Sequence, residues 1–185
     1  RSMNLRFGHG DEDARVRENF HRMASVLGTD EAHMVLTKQT HTTNVRVVTA
    51  ADAGFGVVRK RPYDDVDGLI TDVPGLALVI FAADCVPLLF VDPVHHAIGA
   101  SHSGWRGTVA RMGEVTIRTM QSTYGTVPSD LICAIGPSIC RDCYEISEDV
   151  AQHFIEAFPG RAAEILRGEA ASFGVSAEFD PFFVE

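Results

Sequence analysis

The sequence predicts an α+β or layered mixed α/β fold, and three features point that way. β-rich segments outnumber helical ones and come in clusters. Several of those segments are apolar throughout, the mark of strands covered on both faces. Each helical segment presents one apolar stripe. At 185 residues the chain suits one domain, with enough buried surface to need no disulfides.

In chain order, Asp11 is placed to cap a first helix whose Val16, Phe20, Met23 and Leu27 share a face. Strands are expected over 34–36, 45–48, 68–71, 76–82, 86–91 and 97–101. A second helix should run from about 108 to 124, with Val109, Met112, Thr116 and Met120 spaced for burial; Gly125 and Pro128 end it. Another strand covers 131–135 and closes at Gly136-Pro137. Ser147 can cap a third helix with Val150, Phe154 and Phe158 inward, and the C-terminal stretch carries weaker signals.

Composition narrows the function classes. The net charge is −9, from 25 acidic and 16 basic residues. The chain reads as free of basic runs, and a surface that follows a duplex needs clustered Lys and Arg, so no nucleic-acid partner is expected. The apolar stretch 76–91 is cut by Asp84 and is not expected to span a bilayer. Arg1-Ser2-Met3 does not read as a secretory signal. Four cysteines (Cys85, Cys133, Cys140 and Cys143) do not make a disulfide scaffold in a chain of this length. A soluble, cytoplasmic protein is expected.

Three short segments each put a metal ligand at a strand end or turn: Gln39-Thr40-His41, Ala83-Asp84-Cys85 and the stretch from Ser101 through His102 to Gly107. One Cys and two His supply the protein ligands of an open catalytic zinc site, in which zinc brings the pKa of water toward neutrality. Separations of 44 and 17 positions leave the bland reading open, a buried Cys85 and two hydrogen-bonded histidines. The stretch from His102 to Thr108 says more. Two glycines flank Trp105-Arg106 where a strand gives way to a helix, so backbone can approach a ligand and Arg106 can offer a forked cation to phosphate or carboxylate. The alternative there is a tight turn with Trp105 packed and Arg106 paired to an acid.

Other segments read as structure. Asp92-Pro93-Val94-His95-His96 is a turn with exposed histidines, and Asp64-Asp65-Val66-Asp67 a solvated acidic loop without the remaining EF-hand positions. Cys140-Arg141-Asp142-Cys143 lacks both the second pair of a zinc knuckle and the strand–helix setting of a redox motif.

Six segments together carry a resemblance. Gln39-Thr40-His41, Asp67-Gly68-Leu69-Ile70-Thr71, Ala83-Asp84-Cys85-Val86-Pro87, His102-Ser103-Gly104-Trp105-Arg106-Gly107, Ala134-Ile135-Gly136-Pro137 and Cys143-Tyr144-Glu145-Ile146 stand in order. Their spacing resembles that of the YfiH, laccase-domain or "polyphenol oxidase" family, whose members act as zinc-containing purine nucleoside phosphorylases and adenosine deaminases. The likeness covers roughly residues 4–158. It implies layered sheets with helices outside, an αββα-type sandwich, as one domain over 1–185 without the family's N-terminal glycine-rich segment or its C-terminal strand and arginine motifs. It implies zinc on His41, Cys85 and His102, with Cys85, His102, Arg106 and Asp84 at the catalytic centre. The implied substrates are phosphate and a purine nucleoside (adenosine, inosine, guanosine or methylthioadenosine), with hydrolytic deamination of adenosine at the same zinc. Arg106 and the helix start near Thr108 are then expected to hold phosphate.

Departures from the family pattern remove no ligand. Threonines flank His41 in place of the usual Val and Gly, Ser103 follows His102 in place of Ala, and Ser138 stands where many members have Cys. Three competing readings remain at this point. A copper polyphenol oxidase would need many histidines in His-x-His pairs, and the chain has eight histidines and no such pair; copper then enters only as an adventitious occupant. A cysteine hydrolase would use Cys85 as nucleophile and His102 as base. A closed structural zinc site would need a fourth ligand, for which His9 is the best placed.

Overall fold

A computed structural model describes residues 3–167 and 177–179; Arg1-Ser2 and most of the weakly signalled C-terminal stretch lie outside the described residues. Helix α1 (Asp13–Leu27) lies against a parallel pair of strands, β1 (Met34–Leu36) and β4 (Ala77–Val79). Next to that pair stands a five-stranded mixed sheet. Its order is β2 (Val45–Val47), β3 (Gly68–Thr71), β6 (Ala97–Ser103), β5 (Val86–Asp92) and β7 (Ile132–Ile135). Only β2 and β3 pair in parallel there; the other pairings are antiparallel. Helix α3 (Met112–Tyr124) covers the sheet's other face.

The two-residue period of a strand builds these layers. Met34 and Leu36 meet Val16, Phe20 and Ala24 of α1, while Val35 between them joins Leu69 of β3 in a second cluster. Ile70, the next residue of β3, turns to the opposite side and joins Leu88, Phe90 and Met120. The sequence of layers is helix, sheet, sheet, helix, which is the αββα sandwich that the resemblance implied. Helix α3 comes close because Gly68 makes room: a Cβ there would lie 2.7 Å from Met112 Cε and 2.9 Å from Ser101 Oγ. A buried hydrogen bond of 2.7 Å between the hydroxyls of Ser101 and Thr116 ties helix to sheet. A smaller core forms where α2 (Trp105–Val109), α4 (Glu148–Ala157) and α5 (Ala162–Ile165) meet, around Ile146, Phe154 and Ile165. Beside it β8 (Glu145–Ile146), β10 (Ala177–Phe179) and β9 (Leu166–Arg167) make a short antiparallel sheet. No helix among the described residues is long and apolar enough to cross a membrane.

Several expectations need correction. The helix expected over 108–124 is two helices, broken at Arg111, which takes a left-handed conformation (φ 58°) while its guanidinium lies over Phe158 and donates to the Ala157 carbonyl. The strand expected over 76–82 is only the three residues of β4. Asp11 does not cap α1; Glu12 holds that position, and Asp11 accepts a hydrogen bond from Asn4. Leu27 is 63% exposed at the helix end. Residues 86–91 of β5 are apolar throughout yet covered on one face, since Val86, Leu88 and Phe90 are buried while Leu89 and Val91 are exposed. An unbroken apolar run thus stood for an alternating strand.

The β5–β6 turn is held by Asp92. Its buried carboxylate accepts from the N–H groups of Val94 and His95 at 3.0 and 2.9 Å and meets His95 Nδ1 at 2.9 Å, so His95 is half-buried and bonded where an exposed residue was expected. Burial works to raise the Asp92 pKa, but the hydrogen bonds from the His95 and Val94 N–H groups and the contact with the His95 ring outweigh it and hold the group down at about 2. A folded pKa below the unfolded value of ~3.9 means that this stabilisation is complete above that value. It is lost as pH falls from there through about 2. Acid unfolding followed by circular dichroism should show a shallower decline over that window in Asp92→Asn than in the parent. Equal slopes would contradict this role.

Candidate metal centre

Strand pairing explains how distant residues meet. Antiparallel β3 and β6 set Gly68 opposite Ser101, and one step further the His102 N–H donates to the Asp67 carbonyl at 2.8 Å. Antiparallel β6 and β5 set Ser103 opposite Val86, so Cys85, one residue before β5, comes beside Gly104. Ser101 and Ser103 bond toward the helical side, to Thr116 and Thr108, which leaves His102 on the opposite face.

His41 arrives on the 39–42 loop, wound around a single carboxylate. Asp67 Oδ2 accepts from the N–H groups of Thr40 and Thr42 at 2.9 and 3.1 Å, and Oδ1 accepts from the His41 N–H at 3.1 Å. Successive N–H groups pointing at one anion make a backbone nest. His41 sits in the left-handed region (φ 66°), which carries its ring out of the loop toward His102. Asp65 reinforces the turn through the side chains of Thr40, Thr42 and Asn44. The Asp67 carboxylate is fully buried, and Oδ1 also meets His102 Nδ1 at 2.8 Å. Burial works to raise its pKa, but the hydrogen bonds from Thr40, His102 and Thr42 outweigh it and hold the carboxyl below its ordinary value. An ionised Asp67 keeps the proton on Nδ1 and leaves Nε2 as the free donor of His102.

The ligand atoms of His41, Cys85 and His102 all lie within 4.8 Å of one another, with Cys85 Sγ 4.0 Å from His41 Nε2. The two imidazoles meet edge to face, their centroids 4.9 Å apart. A tetrahedral zinc, with bonds of about 2.3 Å to sulfur and about 2.0 Å to nitrogen, would set those atoms about 3.3–3.5 Å apart, so a closure of about an ångström suffices. Gly104 keeps the space: a Cβ there would lie 2.8 Å from His41 Cδ2 and 3.1 Å from Cys85 Sγ. Burial, and after it the carboxylates of Asp84 and Asp67, push the Cys85 thiol up from its ordinary value. A nucleophilic cysteine needs the opposite shift, so this setting does not favour a cysteine hydrolase. A divalent cation would supply the positive charge that a thiolate needs here. The three side chains therefore fit a metal.

A family model described as multi-copper polyphenol oxidoreductase laccase matches residues 1–177. The chain belongs to this family. It is 37% identical over 153 residues to the purine nucleoside phosphorylase YlmD of Bacillus subtilis, a match covering 80% of this chain and 54% of that protein. It is 34% identical over 149 residues to the adenosine deaminase RL5 of an unknown prokaryotic organism, covering 80% of this chain and 56% of that protein. Among solved structures, the hypothetical protein YfiH of Bacillus licheniformis superposes with a TM-score of 0.86 at 31% identity. That superposition covers 97% of this chain and 67% of the YfiH chain. The chain thus spans little more than half the length of the curated relatives it matches.

Within this laccase-like frame, the other sequence-derived residues fall at varying distances from the metal centre. Asp84 is exposed beside Cys85, and its carbonyl accepts from the Ile139 N–H. Arg106 is exposed, with its guanidinium over the Trp105 ring at 4.3 Å and no acid paired to it among the described residues. Trp105 itself is packed, stacked on His153 of α4. The helix begins at Trp105, and the Thr108 N–H is spent on the Gly104 carbonyl, so it is not a free anion donor as expected. His9 is exposed and outside the cluster. Cys140 and Cys143 lie with their sulfurs 2.9 Å apart, also outside the cluster. The acidic loop is not simply solvated, because Asp67 at its end is the buried centre of the site. The sequence placed Asp67 in a solvated acidic loop and at the start of a motif, and its role as a buried anchor was missed. Tyr144, which lines a small pocket of about 30 Å³ beside Cys85, was missed in the same way.

Two substitutions test this arrangement. Asp67→Asn leaves the loop donors facing an amide, and Gly104→Ala drives a methyl against His41. In competition with a chromophoric chelator, each should bind zinc about 10–100-fold more weakly than the parent while keeping its circular dichroism. Parent-like zinc affinity in both would contradict the geometry.

Proposed function

We propose that this chain carries the active site of a zinc-dependent purine nucleoside phosphorylase that also deaminates adenosine. The observation that carries the reading is the convergence of one thiol and two imidazoles within 4.8 Å, in a chain whose relatives bear those two names. Zinc is preferred because a mixed Cys/His set with an open position suits it, whereas the chain's eight histidines include no His-x-His pair for a multicopper cluster. Copper in such a site is an adventitious occupant. A thiol ligand such as Cys85 suits the reducing cytoplasm, where we place the enzyme.

When bound, zinc supplies a Lewis acid and lowers the pKa of water. The remaining tasks fall to the chain. His41, Cys85 and His102 hold the ion, and Asp67 fixes the ring and tautomer of His102. Arg106 offers its exposed forked cation to phosphate. In phosphorolysis a phosphate oxygen attacks the anomeric carbon of ribose, the bond to the base breaks, and the base leaves with the electron pair and takes up a proton. Asp84, exposed at the edge of the site, is the carboxylate assigned to hold that proton.

Product analysis tests the reading. Zinc-loaded full-length protein with inosine should release base only when phosphate is present, and Cys85→Ala should abolish the release. Adenosine without phosphate should yield inosine. Neither product from either nucleoside would overturn the proposal. For Arg106→Ala, the phosphate KM should rise at least about tenfold with little change in the nucleoside KM, as for loss of a charge-assisted contact. An unchanged phosphate KM would remove Arg106 from that role.

A further inference from the structure

We propose that the cleft between α1 and the 56–64 loop is a second binding site, for a multiply charged oxyanion of the phosphate type. The cleft has a volume of about 430 Å³, and Arg17, Lys38, Arg59, Lys60 and Arg61 line it with Asp13 and Asp64. None of the ligands of the metal centre contributes to it. Five of the chain's 16 basic residues, including both of its lysines, meet there although the chain carries a net charge of −9. Arg59-Lys60-Arg61 is also a basic run, against the expectation of none.

These cations are gathered without matching counter-charge. Among the described residues, none of the five lies within ion-pair distance of a carboxylate; the arginine pairs are made by Arg15, Arg22, Arg46, Arg118 and Arg161. Neutral groups hold the guanidinium heads instead. Arg17 Nη1 donates to the Val57 carbonyl at 3.1 Å, and Arg61 Nη1 donates to the Thr37 carbonyl. Arg59 donates through Nε and Nη2 to the Ala53 carbonyl at 2.9 and 2.6 Å and stacks on Phe55. Carbonyls and rings orient a cation without cancelling its charge, so the cleft is preorganised and repulsive until an anion enters. Forked arginines with two mobile lysine point charges suit a tetrahedral dianion. This site stands apart from the phosphate grip assigned to Arg106, and it does not depend on that assignment.

The test is isothermal titration of zinc-loaded Arg106→Ala protein, which lacks the other proposed phosphate contact, with chloride holding ionic strength constant. Inorganic phosphate and ribose 5-phosphate are the two probes. The proposal expects saturable binding of at least one of them, weakened tenfold or more by adding Lys38→Gln and Lys60→Gln. Tighter binding of inorganic phosphate would assign the site to the free ion, and tighter binding of ribose 5-phosphate to a phosphomonoester. Binding unchanged by the lysine substitutions, or no saturable binding of either probe, would overturn the proposal. Nucleoside turnover in the lysine variants with Arg106 intact separates the two sites: turnover retained while the second anion site is lost leaves the metal-centre reading standing.

Discussion

The buried carboxylate of Asp67 is the constraint on which the rest of the site depends. A charge removed from water is tolerated only when fully bonded, and Asp67 is satisfied by three backbone N–H groups of the 40–42 loop and the His102 ring. That requirement does two things at once. It folds a loop with no regular structure into one shape, which aims His41. It also fixes which nitrogen of His102 is free. Ligands from two parts of the chain are thus positioned by a residue that need not touch the metal.

The scaffold around Asp67 is rigid for reasons of packing. Asp67 immediately precedes β3, whose four residues are all buried between the inner strand pair and α3. The β3–β6–β5 ladder brings His102 and Cys85 to the same end of the sheet. Gly104 lets both remaining donors press against backbone. A site at strand ends, held by ladder hydrogen bonds on both sides, leaves little freedom for its ligands to drift.

Much of this was legible in the sequence, and the gaps have physical causes. The layers could be read because Val16, Phe20 and Met23 recur at helical spacing and because β1 and the Leu69-Ile70 centre of β3 are apolar on both faces, as inner strands must be. The ligands could be read as residue types at strand ends, and family likeness joined them; spacing alone could not, since pairing between strands is a tertiary event. Asp67 escaped notice because a carboxylate beside Asp64 and Asp65 looks solvated, and only its N–H partners make it a buried anchor. The break at Arg111 escaped for a similar reason, because its left-handed turn is stabilised by Ala157 and Phe158, far along the chain. The basic cleft draws on α1, the end of β1 and the 56–64 loop, so no window of sequence contains it.

The donor set decides what chemistry this centre supports, since one thiolate with two imidazoles suits zinc and a carboxylate-rich shell would suit a hard cation. X-ray absorption at the zinc edge of the loaded protein addresses that most directly. The account predicts one sulfur at about 2.3 Å and two imidazole nitrogens at about 2.0–2.1 Å, with a further light atom completing the shell. A shell of oxygen and nitrogen without sulfur, or one with two sulfurs, would contradict it.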